Sequence, residues 1–174
     1  MWNSNNTDDI KWITNYLNMN IDSNKIERIR NFALLWNIFE GAAFNKNAHM
    51  SKIKCFVKAL SANIDIDKGR LTLILEHFIE RYGDLNNPSM LFDELKFKKN
   101  DDTSLVLDVL SRKKESPVEI LTSLLMITFR LRCNLFHGEK SIAGIEGQDT
   151  NFTMVNELLK TVLDIMKNSG FRVS

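Results

Sequence analysis

Residues 129–140 read FRLRCNLFHGEK and place Arg130, Arg132, Asn134 and His137 within one short stretch, followed by Lys140. Histidine exchanges protons near neutral pH, with an unperturbed pKa of about 6.5, and arginine presents a planar pair of donors to anionic oxygens. Cations beside an apolar helix are costly unless something anionic meets them, either a carboxylate of the fold or a ligand. Spacing limits how the set can converge. At about 100° per residue, Arg132 and His137 point ~140° apart on a regular helix. They meet only if the helix loosens or ends at His137, as Gly138 permits, or if a second subunit completes the site. Arg130 and His137, seven positions apart, share a face on an unbroken helix. A plainer account also fits, because arginine and histidine near a helix C-terminus oppose the negative end of its dipole. Spacing alone leaves both accounts open.

The elements that must position these groups read as helices throughout. Only two Pro and seven Gly interrupt 174 residues, and those are the strongest local breakers. Seven Asn crowd the first 24 residues, so this start is expected to be peripheral, with a short helix over 10–17. A long helix follows, with Asn24 as its cap and Ile26, Ile29, Ala33, Trp36 and Ala43 at helical spacing. Further helices are expected over 51–62 and, capped by Asp67 and closed by Gly83, over the stretch bearing Leu71, Ile74, Leu75, Phe78, Ile79 and Tyr82. Residues 84–100 are irregular apart from a short helix near 90–95, and another helix runs over 103–112. Ser116-Pro117 with Glu119 is a helix-start signature. The helix after it is apolar almost all round and therefore central. Gly138, Gly144 and Gly147 mark a loop, and a last amphipathic helix covers 151–167. No alternating pattern competes, so one all-α domain is expected, a helical bundle with its core over about 24–168.

Composition narrows the function. A formal charge of +1 exerts no whole-chain pull on nucleic acid or membrane. Cys55 and Cys133 stand far apart, and with three His they make no zinc-type cluster. No metal or cofactor is expected. The amino terminus lacks the pattern of a signal peptide, and no stretch approaches the ~20 apolar residues of a membrane helix. The expectation is a cytoplasmic protein in a reducing compartment.

Arg132-Cys-Asn-Leu-Phe-His137, on a long apolar helix of an all-helical chain, resembles the HEPN superfamily. Its signature is an Arg, four to six residues, then a His, often with a polar residue soon after the Arg. Asn134 supplies that polar position, and Trp36-Asn-Ile-Phe-Glu40 is similar to the family's first core helix. Arg130 also satisfies the loose spacing; the string RCNLFHG as a whole favours Arg132. The resemblance implies a metal-independent endoribonuclease acting as a homodimer, with the two motifs meeting across the interface. It also implies toxin–antitoxin, phage-defence or other RNA-restricting roles, with an antitoxin or other regulatory protein as a further partner. One branch of the family carries a modified Tyr two residues after the His; Glu139 stands there, so that control is not expected.

The implied chemistry is coherent. An RNA's own 2′-hydroxyl attacks the adjacent phosphorus, His137 exchanges protons, and Arg132 stabilises the charge developing on phosphorus. Arg130, Asn134 and Lys140 are the expected substrate-binding residues. Glu40 interrupts an apolar face and needs a partner if buried, for which Arg130 or Arg132 is natural, so it supports the site. One His does not easily serve as both base and acid in one step, whereas two copies across a dimer axis do. The helix over 118–137 is expected at or near that interface. The alternative is a non-catalytic module of the same kind that binds RNA, nucleotide or a protein partner. His49 and His77 read as solvated surface residues. The runs Lys96/Lys98/Lys99 and Arg112/Lys113/Lys114, each followed by acidic residues, also read as surface.

Overall fold

The computed structural model describes residues 6–18, 22–62, 64–83, 89–136 and 148–171. Eight helices and no strand occupy them: α1 (Asn6–Leu17), α2 (Ser23–Phe44), α3 (Met50–Ser61), α4 (Lys68–Tyr82), α5 (Met90–Asp93), α6 (Thr103–Leu110), α7 (Pro117–Phe136) and α8 (Asp149–Ser169). The fold is all-α, as the scarcity of breakers predicts.

Local chemistry sets the boundaries. Asp67 caps α4 by accepting a hydrogen bond from the Gly69 amide at 2.8 Å. Gly83 closes α4 at φ 69°, a conformation that glycine adopts without a Cβ penalty. At α7, Ser116 and Glu119 form the reciprocal capping box: the Glu119 amide donates to Ser116 Oγ at 3.2 Å and the Ser116 amide donates to Glu119 Oε2 at 3.4 Å. The Ser116 hydroxyl also bonds this carboxylate and holds its pKa below the usual value. Asp22, not Asn24, caps α2: its carboxylate accepts from the Asn24 amide at 3.0 Å. An Asn two residues inside a helix start is as much a first-turn residue as a cap, and spacing does not tell them apart.

One cluster of buried apolar side chains runs from α2 to α8. At its centre lies α7, where every residue from Ile120 to Thr128 is buried, and α3, α4 and α6 pack against it. α2 runs along α8, with Phe32 and Phe152 in ring contact at 5.3 Å. Their starts are tied together by the Arg28–Asp149 ion pair at 2.6 Å and by the Asn156 amide, which donates to the Arg28 carbonyl at 3.0 Å. The Trp12 and Tyr16 rings of α1 stack on each other at 5.1 Å and stay exposed.

The middle of α7 is covered by the chain's own helices, and Phe136 at its last position is exposed. No described helix is long and apolar enough to cross a membrane.

Candidate functional site

The last two turns of α7 carry Arg130, Arg132 and Asn134, and they point two ways. Arg130 and Asn134 are four residues apart and share a face, whereas Arg132 lies ~160° from both on the helix circumference.

On the first face, both side chains are buried against the connection between α5 and α6. Arg130 Nε donates to the Leu95 carbonyl at 2.9 Å, and Asn134 Nδ2 donates to the Glu94 carbonyl at 2.8 Å. Two consecutive carbonyls just beyond α5 are thus satisfied by α7 side chains rather than by water. Asn134 Oδ1 is buried with no partner. These are positioning contacts: they fix how the 94–102 connection docks, and they keep both residues away from Arg132.

On the other face, Arg132 meets α2. Trp36 packs beside Phe129 at 5.9 Å between ring centres, and one turn further along each helix Glu40 faces Arg132. The two charges are 3.8 Å apart, Arg132 Nη2 to Glu40 Oε2, so Arg132 is the arginine that meets this carboxylate. Glu40 itself is held rigidly. Its Oε2 accepts from Trp36 Nε1 at 2.9 Å and its Oε1 accepts from the Ala48 amide at 3.0 Å. A carboxylate with both oxygens taken by fixed donors has little freedom to close on the arginine.

Arg132 is correspondingly under-used. Its side chain is 29% exposed, its only ion pair among the described residues is the long one to Glu40, and its Nε is buried without a hydrogen-bond partner. Its guanidinium carbon lies 5.4 Å from the centre of the Phe136 ring, which forms the exposed last position of α7. Among the described residues the Arg132 guanidinium meets no anion nearer than the Glu40 carboxylate.

His137 and Lys140 lie outside the described residues. Of the other expectations, His49 is exposed at the start of α3 and caps nothing with its side chain. Arg112 is paired with Glu76 at 2.5 Å, and Lys114 with Glu119 at 3.5 Å, as a solvated run should be. Lys96, Lys98 and Lys99 are exposed on the connection that Arg130 and Asn134 anchor. His77 corrects its reading. It is half-buried, with Nε2 2.8 Å from Asn151 Oδ1, and Asn151 Nδ2 donates to the Tyr82 hydroxyl at 3.3 Å. Burial pushes the Tyr82 phenol up to about 12. Nothing local in LEHFIERY signals this network, because its central residue comes from α8.

Phe136 and Trp36 are site members that residue-type reasoning passes over. Phe136 lies inside the motif string, but an aromatic beside a histidine reads as core. Cys55 is exposed and Cys133 half-buried, both as free thiols. Among the described residues no three His, Cys, Asp or Glu side chains come together as metal ligands would. An open apolar groove of about 590 Å³ between α2 and α8, with Ile38, Ala42, Leu163 and Phe171 among its lining, contains no member of the Arg132 cluster.

Comparison with protein-family models, curated proteins and solved structures returns no match.

Proposed function

We propose that the chain is a metal-independent endoribonuclease of the HEPN kind, working in the cytoplasm in a toxin–antitoxin or phage-defence role. Its reaction is attack of an RNA 2′-hydroxyl on the adjacent phosphorus, with the 5′-oxygen leaving and a 2′,3′-cyclic phosphate as product. Arg132 is the phosphate clamp, and His137 exchanges the protons. The observation that carries the reading is the state of Arg132 among the described residues: a buried Nε without a partner, and one long ion pair, 3.8 Å, to a carboxylate held by other donors. Arg130, by contrast, spends its Nε on the Leu95 carbonyl. Glu40 holds Arg132 in place without quenching it. The homodimer belongs to the proposal, since two copies supply the acid and the base, and an antitoxin-like protein is the natural restraint.

The second reading, a non-catalytic module that binds RNA, nucleotide or protein, is favoured by one observation. A net charge of +1 provides little long-range attraction for a polyanion.

Cleavage assays on single-stranded and structured RNA in excess EDTA separate the two. The enzyme reading expects cutting that survives chelation, cyclic-phosphate ends, and no cutting of all-deoxy strands. His137→Ala should lose ~10²-fold or more, the scale of a lost acid–base group. Arg132→Ala should lose a comparable factor, and Arg132→Lys should restore little, because lysine lacks the two-pronged donor. Mixing the two inactive variants tests the shared site, since activity returns only if each centre draws on both subunits. A folded His137→Ala protein that cuts at the wild-type rate would end the enzyme reading.

A further inference from the structure

We infer that Phe136 is the stacking platform for one unpaired nucleobase of the strand whose phosphate Arg132 holds. The inference rests on the reading of Arg132 as a phosphate clamp and adds the residue that receives the neighbouring base.

Three observations converge. Phe136 is 53% exposed at the last position of α7. It lies four residues beyond Arg132 and thus on the same face of the helix. Its ring centre is 5.4 Å from the Arg132 guanidinium carbon. Other large apolar side chains are exposed, among them Leu73, Met90, Trp12 and Tyr16. Among the described residues, Phe136 is the exposed aromatic that an arginine overlies.

This pairing matches the anatomy of a nucleotide. Phosphate and base are joined through one ribose, so a phosphate on the Arg132 donors carries its base into reach of the neighbouring ring. Every base has a π-face, so a phenyl surface accepts any of them, and the cation on the other side of the ring strengthens the stack. In an A-form duplex the same base faces are covered by neighbouring pairs, and the deep, narrow major groove shuts side chains out. An aromatic at the tip of a helix therefore discriminates in favour of splayed bases. Arg132 contacts what every nucleic acid has, and Phe136 contacts what only an open strand offers.

The test is equilibrium binding of the full chain to labelled 2′-O-methyl RNA, which lacks the attacking hydroxyl and stays intact. Three ligands are compared: a mixed-sequence single strand, its duplex, and a strand of equal length carrying abasic sugars. The wild type should prefer the single strand to both others. Phe136→Ala should weaken single-strand binding by about 5- to 150-fold, the range for one lost base–aromatic stack. It should leave abasic binding unchanged, and Phe136→Tyr should retain the wild-type preference. Equal binding by Phe136→Ala and wild type, with Arg132→Ala still defective, overturns the stack and leaves the clamp standing. Equal losses on base-bearing and abasic strands also overturn it. A change in solution mass on Phe136→Ala assigns the ring to a subunit contact and overturns it as well. No RNA binding by the wild type overturns stack and clamp together.

Discussion

Glu40 and Arg132 form a pair in which stability should lie almost entirely with one partner. Replacing Glu40 by Ala strips the acceptor from the indole N–H of Trp36, a ring only 2% exposed, which water reaches poorly. A buried donor left unpaired costs about 1–3 kcal/mol. The Ala48 amide loses its acceptor too, at about 1 kcal/mol because this half-buried turn lets water substitute. Together Glu40→Ala should destabilise the fold by about 2–4 kcal/mol. Arg132→Ala removes a 3.8 Å ion pair between partly exposed groups and a contact with an exposed ring, each at most about 1 kcal/mol. It also removes an unpartnered buried Nε, which offsets part of that loss. The net change should stay within about 1 kcal/mol. Urea unfolding followed by far-ultraviolet circular dichroism measures both, provided the m-values agree. A double-mutant cycle locates the energy: in a Trp36→Phe background, Glu40→Ala should cost less by about 1–3 kcal/mol. If Arg132→Ala proves as damaging as Glu40→Ala, the arginine is a structural member of the pair and its donors are spent within the fold.

Two further outcomes follow from the contacts of α7 and α4. Arg130→Ala should cost about 2–3 kcal/mol, because the Leu95 carbonyl loses its donor beside the core, and Asn134→Ala should cost about 1–2 kcal/mol; thermal and urea unfolding that show neither change would refute the clamp on the 94–102 connection. In alkaline titration followed by tyrosinate absorbance, one of the two tyrosines should ionise only near pH 12, and Tyr82→Phe should abolish that step. Because the folded pKa lies above the ordinary 10.0, the phenol's contribution to stability is complete below pH 10 and is lost as pH rises from there toward 12.

Much of the fold was legible because its signals are local. Asp67 and Gly83 bound α4, and Ser116-Pro117-Val-Glu119 opens α7, through groups no more than a few residues apart. The centrality of α7 was legible from its uninterrupted apolar run. What escaped depended on a partner distant in sequence. Arg130 and Arg132 both fit the motif spacing, and only the docking of residues 94–95 decides that Arg130 donates to the Leu95 carbonyl while Arg132 faces Glu40. His77 looks solvated beside Glu76 and Glu80 until Asn151 arrives from α8. The need of Glu40 for an arginine was visible from its place on an apolar face; its grip on Trp36 and Ala48 was not, because an indole and a loop amide leave no trace in charge patterning.

The pairing of α2 with α8 has a consequence for how the chain is made. Arg28 and Asp149 are 121 residues apart, so the groove that receives α8 is synthesised long before its occupant. At roughly 5–20 residues per second, the ribosome leaves Phe32 and its neighbours on α2 without their α8 cover for roughly 6–24 s. Closing so long a loop is also a late step in folding, since its entropy is spent before any contact rewards it. A nascent chain halted before Phe152 therefore displays an aromatic face to whatever is nearby, a chaperone or another unfinished copy. Truncation within α8 should be punished more severely than loss of α1, and yield on overexpression should respond to translation speed and to holdase supply.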